Sequence, residues 1–436
     1  MSNLISDFFK FEKYQTSLSR EMIAGMTTFA TMAYIIVVNP KILEAAGIPF
    51  GPSMVATILS AFFGTMAMGL YANRPFALAP YMGENAFIAF TVVKVMGYSW
   101  QTALSAIFIG GLLFVIFTAS GIRSWLITAI PKNLKNAFVI GIGLFLAFIG
   151  LNTTGLVTLG VPGAPVHLGN VSDPSVILAA ICFIVTVILM IRNVTGAIII
   201  GILITSIAAF ATGVSPAPDK IFSLPPSIAP IAFKLDLAGA FTWGFISVIL
   251  TVFVMDFLDT MGTVYAVSYR AGLLDENGDL PQIERPLMVD AVTTVLASLL
   301  GTTTTGVFVE SATGIEAGGR TGMTAVTTAV LFLAALFLSP FFISIPACAY
   351  GPSLIVVGML MIAPCTDLEV KDMSELVPAF LVIILMSFTY NLGIGMVAGF
   401  IAYPIMKATT GRLKEVSIGM WVLGLLSALY IVACPH

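Results

Sequence analysis

Two stretches decide the architecture of this chain: PFALAPYMGENAFIAFT at 75–91 and GTTTTGVFVESATGIEAGGRTG at 301–322. Both are apolar enough to enter a bilayer, but Pro80 and Gly83 interrupt the first, and a run of Thr and Gly interrupts the second. A broken helix exposes backbone N–H and C=O groups, which are tolerated at membrane depth only where protein or a water-filled cavity satisfies them. The two stretches therefore predict discontinuous membrane segments that line a binding cavity.

The composition around these stretches is typical of a polytopic helical membrane protein. Of 436 residues, 58% are hydrophobic and 9% are charged, whereas a soluble domain carries about 25% charged residues. This excludes the soluble, disordered, fibrous and disulfide-rich secreted classes. No basic run indicates a nucleic-acid partner, and the two histidines and four cysteines form no ligand pattern, so we expect no metal and no cofactor.

Apolar segments recur along the whole chain, with room for about a dozen or more spans. If the N-terminus is cytoplasmic, 15 of the 19 Lys and Arg residues fall on the cytoplasmic side, and 4 fall outside: Lys41, Lys94, Lys220 and Lys234. Cytoplasmic loops of membrane proteins carry such an excess, so the bias predicts a cytoplasmic N-terminus. The last apolar segment, 415–434, is either an additional span or a helix that lies on the membrane surface.

The two halves of the chain resemble each other. Two sets of residues recur at constant offsets, 215 for the first and 198 for the second: Ile130, Pro131 and Gly143 with Ile345, Pro346 and Gly358, and Asn193 and Gly201 with Asn391 and Gly399. The two interrupted stretches form a third pair, and the members of each pair lie seven spans apart. Seven is odd, so the halves insert with opposite topology and the pattern predicts a seven-plus-seven inverted repeat. The alternative is chance similarity among Gly-rich apolar helices.

Five carboxylates lie inside apolar or interrupted segments: Glu84, Asp256, Asp259, Glu310 and Glu316. Asp256 and Asp259 are three residues apart in VILTVFVMDFLDTMGTVYAV (248–267), so a helix places them on neighbouring surface. A carboxylate at the bilayer centre costs at least ~2.5–3.5 kcal/mol. We therefore expect these groups to face a cavity or to be protonated part of the time. A purely structural role, such as capping a half-helix, is the alternative, and it is strongest for Glu316 and Asp256.

Carboxylates with few basic partners can accept hydrogen bonds from the N–H groups of a neutral heterocycle. They can also bind and release a proton. They suit an inorganic anion poorly. Asn85 can both donate to and accept from the edge of a base, or it can simply start a helix. Thr263 can bind a substrate, or it can bond to the carbonyl of the preceding turn.

At these residues the sequence resembles the AzgA-like purine permeases, a branch of the nucleobase–cation symporter-2 family. The resemblance runs from near Arg20 to the C-terminal apolar segment. It rests on five motifs: IAGMTTFATMAYIIVVNP (23–40), ALAPYMGENAF (77–87), SWQTALSAIF (99–108), DFLDTMGT (256–263) and VESATGIEAGGRTGMTAV (309–326).

The resemblance implies an all-α polytopic fold of fourteen spans in two inverted repeats, with short strands in the broken spans 3 and 10. It also implies a core domain, holding spans 1–4 and 8–11, and a gate domain. On this chain the expected parts are a cytoplasmic N-terminal segment (1–20), the two core halves (21–120 and 240–344), the two gate halves (121–213 and 345–407) and a C-terminal apolar segment (408–436).

The resemblance also implies the site. Six residues are expected to bind the substrate: Gly83, Asn85, Asp259, Thr263, Glu310 and Ser311. The candidates for proton coupling are Asp259, Glu310, Glu84 and Asp256. Glu84 and Glu316 depart from the family pattern, because many relatives have an apolar residue at the first position and some have alanine at the second.

Together these observations predict a secondary transporter, not an enzyme, which imports hypoxanthine, guanine or adenine by proton symport. The resemblance implies an elevator-type movement of the core against the gate, in a bacterial-type plasma (inner) membrane. The expected partners are the purine base and the lipid bilayer, with a homodimer left open. The alternative is an anion or carboxylate carrier of the same architecture. An intramembrane enzyme is disfavoured, because the chain has neither HExxH nor GxSxG.

Overall fold

The computed structural model describes residues 2–120, 130–161, 164–242, 245–274, 280–389 and 391–433. Helices dominate, and in chain order they are α1 (Ser2–Phe9), α2 (Leu18–Met32), α3 (Ile35–Ala45), α4 (Phe50–Ala67), α5 (Met82–Ala86), α6 (Trp100–Ser120), α7 (Lys132–Thr153), α8 (Pro174–Ile191), α9 (Ala197–Ala211), α10 (Leu237–Ala240), α11 (Ile246–Arg270), α12 (Glu284–Leu300), α13 (Ser311–Glu316), α14 (Gly322–Ala335), α15 (Ser339–Ile343), α16 (Ala347–Leu360), α17 (Met373–Phe388), α18 (Leu392–Thr409) and α19 (Ile418–Ala433). Two π-helical segments, Met68–Ala72 and Phe87–Val95, extend α4 and α5. Four short strands complete the fold: β1 (Leu78–Pro80), β2 (Val157–Val161), β3 (Ala164–Leu168) and β4 (Thr305–Val307).

The helices are those of an integral membrane protein. Within the described residues, nine helical stretches are long and apolar enough to cross a bilayer, and α9, α17 and part of α19 are shorter apolar helices. The predicted class, a polytopic helical membrane protein, is therefore confirmed. The C-terminal helix α19 packs along α18.

The first long apolar helical stretch, Leu18–Ala45, is broken near its middle. α2 ends at Met32 and α3 begins at Ile35, and α3 continues through Pro40 to Ala45. Proline in a helix interior removes one backbone hydrogen bond, which α3 accommodates without stopping there. The break instead falls at Ala33 and Tyr34, where it places the Tyr34 side chain in the protein interior.

Strands β1 and β4 pair antiparallel, with Leu78 opposite Val307 and Pro80 opposite Thr305. The Thr65 hydroxyl of α4 accepts from the N–H and donates to the C=O of Leu78, at 2.9 and 3.1 Å. The Thr294 hydroxyl of α12 makes the same two bonds to Thr305, at 3.2 and 3.0 Å. In each strand, the N–H and the C=O of the first residue thus both bond to a threonine hydroxyl of the preceding long helix. The buried backbone of both interrupted stretches therefore has internal partners, as the bilayer requires.

The long helices pack in two sets. The strand-bearing group comprises α2–α6 and α11–α14 together with β1 and β4; within it α2 packs on α14, α4 on α14, and α6 on α12 and α11. The flanking group comprises α7–α9 and α16–α19; within it α7 packs on α16 and α17, α8 on α9 and α16, and α17 on α18. Fewer contacts join the groups, among them α5 with α7 and α2 with α9. The interrupted segments lie in the strand-bearing group, where α5 reaches this boundary.

Candidate functional site

The paired strands bring the two interrupted segments together in the middle of the strand-bearing group. β1 leads into the short helix α5, which carries Glu84 and Asn85, and β4 leads into the short helix α13, at whose N-terminus lies Glu310. The N–H of Ala77 donates to the Ser311 hydroxyl at 3.0 Å, which ties the start of the first strand to the start of the second half-helix. Ser311 is buried and already holds this structural bond.

The Asn85 side chain has a hydrogen-bond partner for its oxygen but, among the described residues, none for its nitrogen. Its side chain is fully buried, and its Oδ1 accepts a hydrogen bond from the Thr303 hydroxyl, which precedes β4 in the other half of the chain. Within the described part of the chain, its Nδ2 has no hydrogen-bond partner. A buried amide N–H without a partner costs ~1–3 kcal/mol, so this group is suited to donate to a ligand.

Glu84 is also fully buried, and neither of its carboxyl oxygens has a hydrogen-bond partner among the described residues. Its neighbours are two further acidic side chains of α11, Asp259 and Asp256. Asp256 is buried, whereas Asp259 is half-buried. Three predicted carboxylates therefore meet between α5 and α11.

Thr263 lies one turn beyond Asp259 and bonds in the way that the structural alternative predicts. Its hydroxyl donates to the Asp259 carbonyl at 2.7 Å, and it also lies 3.0 Å from the hydroxyl of Tyr81. Tyr81 in turn donates to the carbonyl of Val307 in β4, at 3.3 Å. Thr263 thus connects α11 to the paired strands, and its hydroxyl is engaged within the protein.

Glu310 has a hydrogen-bond partner of its own. It is half-buried, and its Oε1 accepts a hydrogen bond of 2.6 Å from Tyr34, at the break between α2 and α3. Glu310 also lines a cleft of about 460 Å³ between the two helix groups. Thr31 and Thr313 line the same cleft, and their hydroxyls lie 3.0 Å apart. Glu316 is exposed in this cleft, at the far end of α13.

Gly83 lies where α5 approaches the flanking group. A Cβ atom at Gly83 would lie 2.7 Å from Cγ2 of Ile142 on α7, closer than real Cβ contacts allow. Because Gly83 has no side chain, the two helix groups can approach each other closely at this position.

Three residues that shape this site were missed by the sequence reasoning: Tyr34, Thr303 and Tyr81. Tyr34 lies inside the motif 23–40, and Tyr81 lies directly before the Met-Gly-Glu-Asn run. Their positions in these motifs are the signal that could have identified them. Thr303 is one of four consecutive threonines, and nothing in the sequence indicates which of them meets Asn85.

Comparison with known proteins decides the family. The chain matches the xanthine/uracil permease model, described as a permease family, over residues 19–412. The chain belongs to the xanthine/uracil permease family. The predicted relationship to purine permeases of the AzgA-like branch is confirmed, since the relatives of this permease include the nucleobase transporter PlAzg2 of Paenibacillus larvae, 31% identical over 88% of this chain and 77% of its own.

Three other relatives match nearly the whole permease. A putative permease of Methanocaldococcus jannaschii is 46% identical over 98% of both chains. The adenine permease AdeP of Escherichia coli is 39% identical over 98% of this chain and 96% of its own. The guanine/hypoxanthine permease PbuO of Bacillus subtilis is 42% identical over 94% of this chain and 96% of its own.

Solved structures of transporters share the fold of this permease. The transmembrane domain of the cyanobacterial bicarbonate transporter BicA aligns with a TM-score of 0.64, over 88% of this chain and 97% of that domain, at 15% identity. SLC26A9 aligns with a TM-score of 0.66, over 92% of this chain and 66% of its own, at 10% identity. At such identities the likeness concerns the fold alone.

Proposed function

We propose that this permease is a secondary active transporter that imports a purine nucleobase, hypoxanthine/guanine or adenine, by proton symport. Relatives named as adenine permeases and as guanine/hypoxanthine permeases cover nearly the whole chain at 39% and 42% identity, which supports this substrate class.

One observation carries the proposal: the partnerless polar atoms that α5 holds in the protein interior. Among the described residues, the Asn85 Nδ2 group has no acceptor and the Glu84 carboxyl oxygens have no donor, and Asp259 lies beside Glu84. A purine base offers ring-nitrogen acceptors and N–H donors in one plane, so it can satisfy both kinds of group at once. An inorganic anion would instead be repelled by the three carboxylates of α5 and α11.

Protons are the proposed coupling ion. Glu84, Asp256, Asp259 and Glu310 are the candidates to carry the proton, because each is a carboxyl group at least partly removed from water. Glu310 differs from the other three, because its carboxylate accepts a hydrogen bond from Tyr34. We assign it to substrate binding first and to proton coupling second.

The proposed architecture has fourteen spans in two inverted halves, with the strand-bearing group as core and the flanking group as gate. The equivalent bonds of Thr65 to Leu78 and of Thr294 to Thr305 support the repeat, because they relate the two strands by a two-fold axis. The division of the helices supports core halves within 21–120 and 240–344 and gate halves within 121–213 and 345–407. Elevator-type movement of the core along the gate would carry the site across the membrane, with the N-terminus in the cytoplasm.

Uptake of radiolabelled hypoxanthine, guanine and adenine tests the proposal, in a strain that lacks its own purine permeases. We expect uptake of at least one base, and a protonophore should abolish its accumulation. Purines should compete, whereas sulfate and dicarboxylates should not; competition by the anions alone would favour the anion carrier. Absence of purine uptake above background would refute the substrate class.

The same assay tests the site assignment. Asp259→Asn and Glu310→Gln should each reduce uptake roughly tenfold to a hundredfold, since a hydrogen bond to a charged group contributes about 1.5–3 kcal/mol. Glu44→Gln is the matched control, because Glu44 is an exposed carboxylate at the end of α3, paired with Lys41 at 3.2 Å. Equal membrane insertion of all three variants must be verified. Normal transport by both site variants would overturn the assignment.

A further inference from the structure

The side chains of Glu84 and Asp259 face each other across the boundary of α5 and α11, close enough to share a hydrogen bond. Both oxygens of Glu84 lack a hydrogen-bond donor among the described residues, and the side chain has no contact with water. A carboxylate accepts hydrogen bonds but cannot donate one. The bond between the two groups therefore exists only when one of them carries a proton.

No cation faces this pair from the elements that pack on α5, as far as the structure describes them. The acidic neighbour is Asp256 on α11, and the neutral hydroxyl of Tyr81 lies close to Asp259. The charged side chains of the other packed elements lie at or near the ends of those elements: Lys41 and Glu44 on α3, Lys94 on the π-helical segment, and Lys132 and Lys135 on α7. Two adjacent charges of one sign without a counter-ion are strongly unfavourable away from water, so single protonation is the stable state of the pair.

We propose that Glu84 and Asp259 hold one proton between them, and that this shared proton is the one that drives purine import. The inference rests on the proposed function and narrows its four candidate groups to one pair. In the loaded state one member is a neutral carboxyl and the other a carboxylate, which accepts an N–H of the base while Asn85 donates to a ring nitrogen. The proton enters the doubly ionised pair from outside and leaves it to the cytoplasm, so only O–H bonds form and break.

Infrared spectroscopy of the purified full-length protein tests the shared proton without any transport. The wild type should show the C=O band of a protonated carboxyl at neutral pH. Glu84→Gln should lose that band, because Asp259 then ionises without a like-charged neighbour at position 84. The control Glu44→Gln should retain it. A Glu84→Gln spectrum equal to the wild-type spectrum in this region would overturn the pair.

Transport by the same variant tests the coupling role. Glutamine mimics the neutral carboxyl permanently, so Glu84→Gln should exchange labelled for unlabelled purine but should no longer accumulate it, and a protonophore should have no effect. Accumulation with wild-type protonophore sensitivity would contradict the proposal. Loss of both exchange and accumulation would assign Glu84 to substrate binding alone and would also overturn the proposal. If the wild type moves no purine while the infrared band behaves as expected, the proposed function fails and the proton-sharing pair stands.

Discussion

At the scale of single residues, the site is recognisable by polar atoms that the fold leaves unsatisfied. Many buried hydroxyls bond to backbone carbonyls, as Thr57 does to Ser53 and Ser206 to Ile202. Glu84 and the Nδ2 group of Asn85 have no such partner among the described residues. Each such group costs ~1–3 kcal/mol, a cost that a bound ligand removes. The interior of α5 is thus prepared for a polar ligand.

The hydrogen bond between Tyr34 and Glu310 can be tested by a single substitution. Its 2.6 Å hydrogen bond fixes one oxygen of Glu310, so Tyr34→Phe should leave that carboxyl without its donor. We expect the KM for the purine to rise roughly tenfold, the equivalent of about 1.4 kcal/mol, because Glu310 must be ordered anew in each binding event.

The measurement is the concentration dependence of initial uptake rates in Tyr34→Phe. Tyr71→Phe is its control, since Tyr71 is 56% exposed and its ring faces Arg285 at the surface. Identical kinetics for wild type and Tyr34→Phe would show that this bond plays no part in binding.

The sequence predicts candidate site residues but not the contacts that hold them. Asn85, Asp259 and Glu310 stand out because polar groups are expensive in apolar segments. Their partners are remote: Tyr34 is 276 residues from Glu310, and Thr303 is 218 residues from Asn85. No local pattern connects residues at such separations. For Thr263 the sequence left two options; its hydroxyl bonds to the Asp259 carbonyl, and its role in substrate binding stays a prediction.

At the scale of elements, the interruptions in the sequence predict where a helix is broken. They do not predict which elements occupy the break. Pro80 and Gly83 correctly indicate a break, and in the structure β1 and α5 occupy it. The register of β1 with β4 depends on tertiary packing, which sequence patterns do not contain. The hairpin of β2 and β3 was not predicted at all, because its Val157–Leu168 stretch lies between spans and reads as a loop.

Lys407, which the charge count assigns to the cytoplasmic side, has a fully buried side chain in the last turn of α18. Its Nζ lies 2.7 Å from Glu375 on α17 and 2.8 Å from Glu415 before α19, so it joins three elements. At the edge of this cluster, hydrogen bonds from Ser374 and then Arg412 hold the pKa of Asp372 at about 2, and this carboxylate stays charged at any physiological pH.

Replacing Lys407 by Met should destabilise this end of the flanking group. Breaking a fully buried pair costs ~3–5 kcal/mol; the carboxylates here reach water in part, so we expect about 1–3 kcal/mol. Thermal unfolding in detergent measures the loss, with the exposed Lys414→Met as control. Equal melting temperatures for the two variants would show that the cluster contributes nothing to stability.

At the scale of the whole molecule, the cleft at Glu310 lies between the two helix groups. Thr27 and Thr31 line it from the strand-bearing group, and Asn193 and Thr195 line it from the flanking group. The positive-inside bias predicts a cytoplasmic position for the loop that holds Asn193. The sequence predicted the membrane class from composition alone, whereas the grouping of helices follows from contacts between distant segments.

Close packing at the boundary between the two helix groups can be tested at Gly83. Gly83→Ala places a Cβ atom 2.7 Å from Ile142, so the groups must separate or strain. Overpacking of this kind costs ~1–3 kcal/mol, and we expect transport to fall roughly tenfold. Adding Ile142→Ala removes the clash and should restore much of the rate, measured as initial uptake at equal expression. A double variant no better than Gly83→Ala would place the effect in substrate contact rather than in the boundary.

We propose that this chain couples purine entry to a proton gradient through the carboxyl groups around α5. The most direct measurement uses the purified protein in proteoliposomes with an alkaline interior and labelled hypoxanthine, guanine or adenine outside. We expect accumulation of at least one base above its external concentration, and collapse of that accumulation when a protonophore is added. Purine levels no higher than in protein-free liposomes, for all three bases, would refute the proposal.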